Sequence, residues 1–440
     1  MGSTPDRRLR LVVPHPEGGR VWAVDGDLPA IDVATVDGEP TSATAARTAA
    51  AMGLPAGLVD CAVDQGDVAS AGDGLRQALI VAAPPHDGWS PPGGRGWTSW
   101  SGLEPTLPAG LDAIGRQAIG ELSGTLEPPP QRAPWCRPGW YGEATAWIDR
   151  TLRELDWPPV DLVTLTRLWS ASAILRVDAG DQRCWFKAST GAFERETTIT
   201  RAIDRLGGAL TPSVVAIDVG RGWMLLADLG PTEVSGAVAT EQAIDGLVRL
   251  QSRLGAHRDE LVDAGCVVRP IEGVPDELDR ALRSTAARTM LDLDDAGRRG
   301  LVAVAAEAVA AVAGWGVPDT LVHGDFHPGN VAPTADGPVV FDWSDACFSA
   351  PIVDAATWLW WFQADPDHGA RVWAWFGDAW SRHLGIDPGR IDRVTASTAA
   401  SAFHAVSYLD ILSAIEPLRR GELADGLRHF VGELRRQASG

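Results

Sequence analysis

Lysine and asparagine are almost missing from this chain of 440 residues, which has one of each, Lys187 and Asn330, beside 37 arginines. A sequence that has otherwise dispensed with both residue types keeps each at one position, and chemistry that arginine or aspartate cannot supply is the natural reason. Cysteine is scarce too. Cys61, Cys136, Cys184, Cys266 and Cys347 are odd in number, scattered and free of any CxxC pair, which excludes a disulfide framework and a zinc ribbon. No apolar run approaches the roughly 18 residues of a membrane span, and residues 1–19 carry charge and proline in place of a signal peptide's apolar core. A cytoplasmic protein without a membrane partner is expected. Positive charge is lacking as well. The formal net charge of −20 opposes a nucleic-acid backbone, so no nucleic-acid partner is expected; it keeps the surface soluble and favours cationic small molecules.

What is present is enough apolar residue, 45%, to fill more than one core. Residues 1–135 open with strand-like alternation at 9–13 and 21–24, continue through an alanine-rich helix near 43–52, and end in loops rich in Pro, Gly and Trp. They read as an α/β accessory domain, and the proline-rich stretch 126–139 reads as a linker. A helix over 142–155 precedes strand-like runs at 162–169, 173–177 and 183–187, a helix over 192–206, and strands at 213–218 and 223–226. This is a small mixed lobe, residues 140–228. From 229 to 440 helical patterns dominate, with short strands and loops inserted between 320 and 341.

The segment Leu321-Val-His-Gly-Asp-Phe-His-Pro-Gly-Asn330 sets a carboxylate five residues before an amide, and Asp342 follows in Val-Val-Phe-Asp-Trp. Phosphoryl transfer needs such groups together: a carboxylate to orient a hydroxyl and accept its proton, and hard oxygens to hold Mg²⁺ against phosphates. Pairing 331–333 with 339–341 across a turn centred on Asp336 would set Asn330 opposite Asp342.

The HGDFHPGN segment followed by FDW resembles the catalytic and metal-binding motifs of aminoglycoside phosphotransferases, choline kinases and their relatives. The resemblance covers roughly residues 140–440. It implies an α+β fold of the bilobal protein-kinase-like kind, a small mixed β-sheet lobe plus a large, mainly helical lobe, here with the added N-terminal domain. It also implies ATP and Mg²⁺ as cofactors, a catalytic loop at 323–330 and a metal-binding segment at 341–345. Carried over by position, Asp325 is the catalytic base, and Asn330 and Asp342 are the metal ligands. Lys187, at the end of the third strand of the small lobe, is expected on the α- and β-phosphates. Its partner is expected to be Glu196, which shares a helix face with Ile199 and Ile203, rather than Glu194. No GxGxxG precedes Lys187; the turn Trp169-Ser-Ala-Ser-Ala173 offers Ser170 and Ser172 to phosphate instead. Leu226 and Asp228 fall in the segment resembling the hinge, where backbone groups meet adenine. Asp342 is followed by Trp-Ser rather than Phe-Gly, and the space before Pro351 and Asp354 is too short for a protein kinase's activation loop. A small-molecule acceptor follows. Asp354 reads as a helix cap or a loop brace, and His323 and His327 as backbone supports.

The expected acceptor is a small hydroxylated and aminated molecule: an amino sugar, aminocyclitol or aminoglycoside. Candidate contacts are Asp345, Trp361, His404, Tyr408 and Glu416, although tryptophans at helical spacing usually fill a core. A neutral sugar kinase and a nucleotide-binding sensor or scaffold are the competing readings. Residues 1–135 loosely resemble a Nudix domain, but TSATAARTAAAMGL lacks the glutamates with which a Nudix helix binds metal, so hydrolase chemistry is not expected there.

Overall fold

The computed structural model describes residues 5–15, 20–34, 39–54, 58–63, 75–82, 91, 96–103, 109–232, 234–361 and 366–438. The chain divides into two compact units, Met1–Gly191 with Ile415–Glu422, and Ala192–Ala414 with Leu423–Gly440.

The first unit opens with β1 (Arg7–Val12), β2 (Val21–Trp22), β3 (Ala30–Val33), α1 (Thr41–Ala51), β4 (Leu58–Val63), β5 (Arg76–Ala82), β6 (Trp97–Thr98) and α2 (Ala109–Leu122). Four of the strands form a sheet in the order β3-β1-β5-β4, with β1 parallel to β5 and antiparallel to β3. The two central strands bury near-continuous runs, Leu9 to Val12 and Ala78 to Ala82, as strands covered on both faces do. Leu111, Ile114 and Ala118 of α2 pack on Leu79, Val81 and Val12. After the linker come α3 (Trp140–Glu154) and an antiparallel meander of β7 (Val160–Leu168), β8 (Ser172–Ala179) and β9 (Gln182–Ser189). The amphipathic α3 buries Trp140, Ala144, Trp147, Ile148 and Leu152, and the Trp147 ring meets Phe186 of β9 at 5.8 Å.

Charge as well as apolar surface ties this unit together. Buried Arg132, in the linker, lies 2.9 Å from Glu416, 3.2 Å from Glu121 and 3.4 Å from Asp60. Arg419 pairs with Asp60, reaches Glu422 at 3.3 Å and donates to the carbonyl of Cys61. A guanidinium withdrawn from water requires such anions. Through them β4, α2, the linker and Ile415–Glu422 are joined.

The second unit begins, after a short 3-10 turn at Gly191–Phe193, with α4 (Glu196–Gly207), so the expected helix starts four residues later than residue 192. Then follow the hairpin β10 (Val214–Asp218) and β11 (Trp223–Ala227), and α5 (Ala237–Gly255), α6 (Arg258–Asp263), β12 (Val267–Val268), α7 (Val274–Leu282), α8 (Thr285–Leu291) and α9 (Asp295–Gly314). Ser284 and Asp294 cap α8 and α9, each accepting from an amide three residues on. The motif-bearing stretch is built from β13 (Thr320–Val322), β14 (Val331–Thr334), β15 (Gly337–Val340) and β16 (Cys347–Ser349); β16 pairs with both β12 and β13. Helices α10 (Ile352–Trp361), α11 (Pro366–Leu384), α12 (Arg393–Ala414) and α13 (Ala424–Ala438) complete the unit. Phe326 is fully buried against Trp358, ring centroids 4.7 Å apart, so the segment between β13 and β14 is anchored by a ring in the core.

The β14–β15 hairpin corrects the expected register by one residue. Val331 pairs with Val340 and Thr334 with Gly337, leaving a two-residue turn, Ala335-Asp336. Asn330 therefore faces Phe341, whose amide donates to its carbonyl at 3.0 Å, and not Asp342. The tight turn is preferred because Gly337 takes a φ of 119° and its carbonyl accepts from the Thr334 hydroxyl at 2.7 Å. A shift of one would put Asp342 on the opposite face of the strand, and a left-handed backbone at Asp342 itself (φ 65°) redirects it.

Candidate active site

The loop between β13 and β14 is held by a single carboxylate. Asp354, at the start of α10 and fully buried, accepts from the backbone amides of His323 (3.0 Å) and Gly324 (2.8 Å) and from the Gln251 side chain (2.7 Å). Burial pushes its carboxyl up to about 7, while the two amides pull the other way. Sequence reading found the brace at Asp354 and missed Gln251, a polar residue on the inner face of α5 whose only signal is its position among buried apolar neighbours.

His323 has no exposed surface. Its Nε2 donates to the carbonyl of Phe341 at 2.8 Å and its Nδ1 accepts from the Asp325 amide at 3.2 Å, a pattern that only the neutral Nε2–H ring satisfies. Burial holds its pKa below the usual histidine value, against the pull of the Phe341 carbonyl. His327 accepts from the Gly329 amide at 3.1 Å through Nδ1, which leaves Nε2 directed at Asp325, 3.6 Å away. Both histidines thus support the backbone, and they also bear on the acid between them. Burial would raise Asp325, but the hydrogen bond and charge of His327 outweigh it and hold the carboxyl below its ordinary value. Asp325 is an ionised carboxylate with 43% of its side chain still open to solvent.

Asn330, buried, donates through Nδ2 to the Asp325 carbonyl at 2.9 Å and to Asp325 Oδ2 at 3.4 Å. With its nitrogen committed there, the side-chain oxygen remains as a hard acceptor. The charge of Asp342 acts on this cluster, pushing the carboxyls of both Asp325 and Asp345 upward. Among the described residues no group of three or more His, Cys, Asp or Glu could hold a metal. An amide oxygen and one carboxylate do not suit zinc, but they fit Mg²⁺, which takes most of its six oxygens from water and phosphate.

Gly324 is required at its position twice over. Its φ is 85°, and a Cβ there would lie 2.5 Å from the carbonyl oxygen of Asp345. The β13–β14 loop and the turn after Asp342 therefore touch closely at Gly324 and Asp345. Asp345 receives a hydrogen bond from Ser344 at 3.0 Å, and burial, reinforced by Asp325, pushes its carboxyl up to about 7. It opens onto a cleft of about 360 Å³ within the second unit, lined also by Arg195, Arg269, Glu277, Arg280 and Asp410. The three arginines carried no sequence signal among so many others.

Other expected positions are spread differently. Lys187 is buried on β9, paired in register with Ile174, and Glu196 is buried at the first position of α4. Leu226 ends the paired part of β11, and Asp228 is exposed just beyond it. Of the hydroxyls expected to meet phosphate, that of Ser170 donates, with its own amide, to Glu422, while that of Ser172 accepts from the Trp169 indole at 2.8 Å. Glu416 belongs to the buried ion cluster with Arg132 rather than to an acceptor contact. His404 is a core residue, bonded to Thr357 at 3.0 Å and to the Val353 carbonyl at 3.2 Å and stacked on Phe430. Tyr408 shares that face, as helical spacing required, but the face packs on Phe430 and Gly426 of α13. The Trp361 side chain lies outside the described residues.

Residues 162–386, more than half the chain, match the APH family, described as a phosphotransferase enzyme family. The chain belongs to this family. The phosphotransferase accordingly acts on a hydroxyl of a small molecule, and its fold class is the expected one, a kinase-like sheet lobe and helical lobe with additional N-terminal sheet elements. Solved structures similar to it include the GDP and kanamycin complex of APH(2")-IIIa, at 14% identity and a TM-score of 0.49 over 68% of this chain and 98% of that one. Choline kinase LicA from Streptococcus pneumoniae is similar at 12% identity and a TM-score of 0.48, over 67% of this chain and 99% of that one. The ADP and spectinomycin complex of spectinomycin phosphotransferase APH(9)-Ia follows at 11% and 0.43, over 66% and 98%. No curated protein matches the phosphotransferase by sequence. Among its described residues no helix is long and apolar enough to cross a membrane.

Proposed function

We propose that the chain transfers the γ-phosphoryl group of ATP to a hydroxyl of a small polar acceptor bearing an amine. The observation that carries this reading is Asp325: an ionised carboxylate, partly open to solvent and backed by Asn330 and His327, next in the chain to Gly324, which touches the Asp345 backbone beside a cleft with further carboxylates. Asp325 orients the attacking hydroxyl and takes its proton as the oxygen–phosphorus bond forms. Its low pKa suits the first task above all, since a carboxylate that stays ionised always presents an acceptor to the hydroxyl. Lys187 supplies the cation for the α- and β-phosphates. Asn330, through its side-chain oxygen, and Asp342 would hold Mg²⁺, which when bound neutralises charge on the transferred oxygens. The backbone fixed by Asp354 and by the neutral His323 keeps Asp325 in place without spending a charge on it.

Release of ADP from Mg²⁺-ATP over aminated sugars, aminocyclitols, aminoglycosides, neutral sugars and choline, with Asp325→Asn beside the wild type, tests this. Activity that depends on the amine and disappears in the variant is the expected result. Equal turnover of neutral sugars would give the acceptor reading to a sugar kinase, and full activity of the variant would remove Asp325 from the chemistry.

A further inference from the structure

The cleft beside Asp345 does not have the charge that the whole chain would suggest. The chain is acidic by 20 charges, yet the formal charges of the side chains that line this cleft balance, with Asp345, held up to about 7 by burial, ionised when an ammonium group meets it. Arg269 is spent: it bonds to Glu277 at 2.7 Å, Ser407 at 2.7 Å and the Phe403 carbonyl at 3.3 Å, and its guanidinium lies over the Phe403 ring. That pair removes one charge of each sign. Four charged side chains remain on the cleft wall, Arg195 and Arg280 against Asp345 and Asp410.

None of the four has an ion-pair partner among the described residues. Arg195 is half-buried, and its Nε is enclosed by protein with no hydrogen-bond partner. A buried N–H left unpaired is costly, and the side chain that carries it borders a cleft wide enough for a small metabolite. Asp345 has only the Ser344 hydroxyl, and Asp410 stands on the exposed face of α12 in the fields of Arg269 and Arg280 without contact to either. A polycation entering this cleft would gain two carboxylates and meet two guanidinium groups. An amine without an anionic group would leave the charges of Arg195 and Arg280 without a counter-charge.

We infer that the acceptor is a small hydroxylated zwitterion, its ammonium taken by Asp345 and Asp410 and its anionic oxygens by Arg195 and Arg280. This rests on the phosphotransferase reading and narrows its acceptor class. The anionic group is the new element, and planar carboxylate oxygens suit the two-pronged donors of a guanidinium. Phosphate transfer then occurs at a hydroxyl on the side of the molecule nearest Asp325, whose charge is felt at Asp345.

The test is calorimetric titration of the full-length chain with hydroxy amino acids and amino sugars carrying a uronic carboxylate, each beside its methyl ester and its N-acetyl derivative. At least one free zwitterion should bind, and esterification or acetylation should each weaken it about tenfold or more. Arg195→Gln should weaken that zwitterion about ten- to hundredfold, the usual worth of a hydrogen bond to a charged group, and leave its methyl ester unaffected. Esters that bind as well as the free acids, an Arg195→Gln protein that binds the zwitterion normally, or an absence of binding by every zwitterion would each overturn the inference. If Arg195→Gln raises the KM of ATP and leaves acceptor binding unchanged, the guanidinium serves the nucleotide and the inference also fails. ADP release by wild type and Asp325→Asn with amine-only alcohols reports separately on the phosphotransferase reading, which survives any of these outcomes.

Discussion

Asp354 accepts the backbone amide of His323 at 3.0 Å across 31 residues of chain, and the adjoining amide of Gly324 at 2.8 Å. One buried carboxylate therefore sets two consecutive peptide planes immediately before Asp325. Asp354→Ala would leave both amides and Gln251 without a partner in a closed interior, and a stability loss of about 2–5 kcal/mol is expected from the unsatisfied donors. Urea unfolding measures it. Wild-type stability would mean that the loop is set by other contacts.

Asp325→Asn keeps the shape of the side chain and removes its charge. The turnover number should fall by a factor on the order of 10² to 10⁴, the usual worth of a positioned base, while nucleotide binding is retained. Single-turnover kinetics beside nucleotide titration separates the two effects, and a parallel loss of both would point to a collapsed loop.

Gly324→Ala places a methyl group against the carbonyl of Asp345 and forces an alanine to a φ of 85°. The left-handed conformation alone costs about 1–2 kcal/mol. Because the displaced partner leads back to Asp342, the turnover number should fall further than stability explains. Thermal unfolding and steady-state kinetics on one preparation would show this; a variant with unaltered kinetics would uncouple the two loops.

His404 links acidity to stability. Burial lowers its pKa to about 4, against 6.5 for a free side chain, so the unfolded chain takes up the proton first as pH falls. The resulting stability is fully present above pH 6.5 and is lost as pH falls toward 4, up to about 3 kcal/mol. Urea midpoints measured between pH 8 and pH 4.5 should decline more steeply for the wild type than for His404→Gln, even though the variant starts lower. Matching slopes would exclude His404 as the source.

Arg132→Met removes the cation shared by Asp60, Glu121 and Glu416 and leaves three buried carboxylates to oppose one another around Arg419 alone. A loss of about 3–5 kcal/mol is expected, as for any buried pair broken on one side. Thermal unfolding reads it, and a double-mutant cycle with Asp60→Asn should recover part of the loss.

The motif residues were legible in sequence because they are close along the chain. Asp325 and Asn330 are five residues apart, and the loop between them must bend back, so their contact needed no knowledge of distant packing. The scarcity of lysine and asparagine pointed the same way. The register of β14 and β15 was misread by one residue because the turn could be closed in two ways from composition, and only Gly337 at positive φ with the Thr334 hydroxyl selects the tighter one. Polar residues on helices were harder. His404 and Tyr408 of α12 were each read as facing an acceptor, since periodicity tells which residues share a face but not what covers that face, and Glu416, read as part of the same helix, lies just beyond its end.

The sequence by itself picked out the motif of the 323–330 loop and the order of strands and helices over 142–228, because both depend on residues near one another in the chain and on local backbone preference; β4, β5 and α2, in a stretch that reads as loops rich in Pro and Gly, were not legible. Tertiary structure decided which charges were free to meet a ligand. Arg132 and Arg195 are identical side chains, and nothing near either in the chain distinguishes them. Folding surrounds Arg132 with three carboxylates from distant segments and leaves Arg195 on a cleft wall with its Nε unpaired. The energy of a buried charge depends on which distant partners the fold brings within hydrogen-bond reach, and that is a property of the folded chain alone.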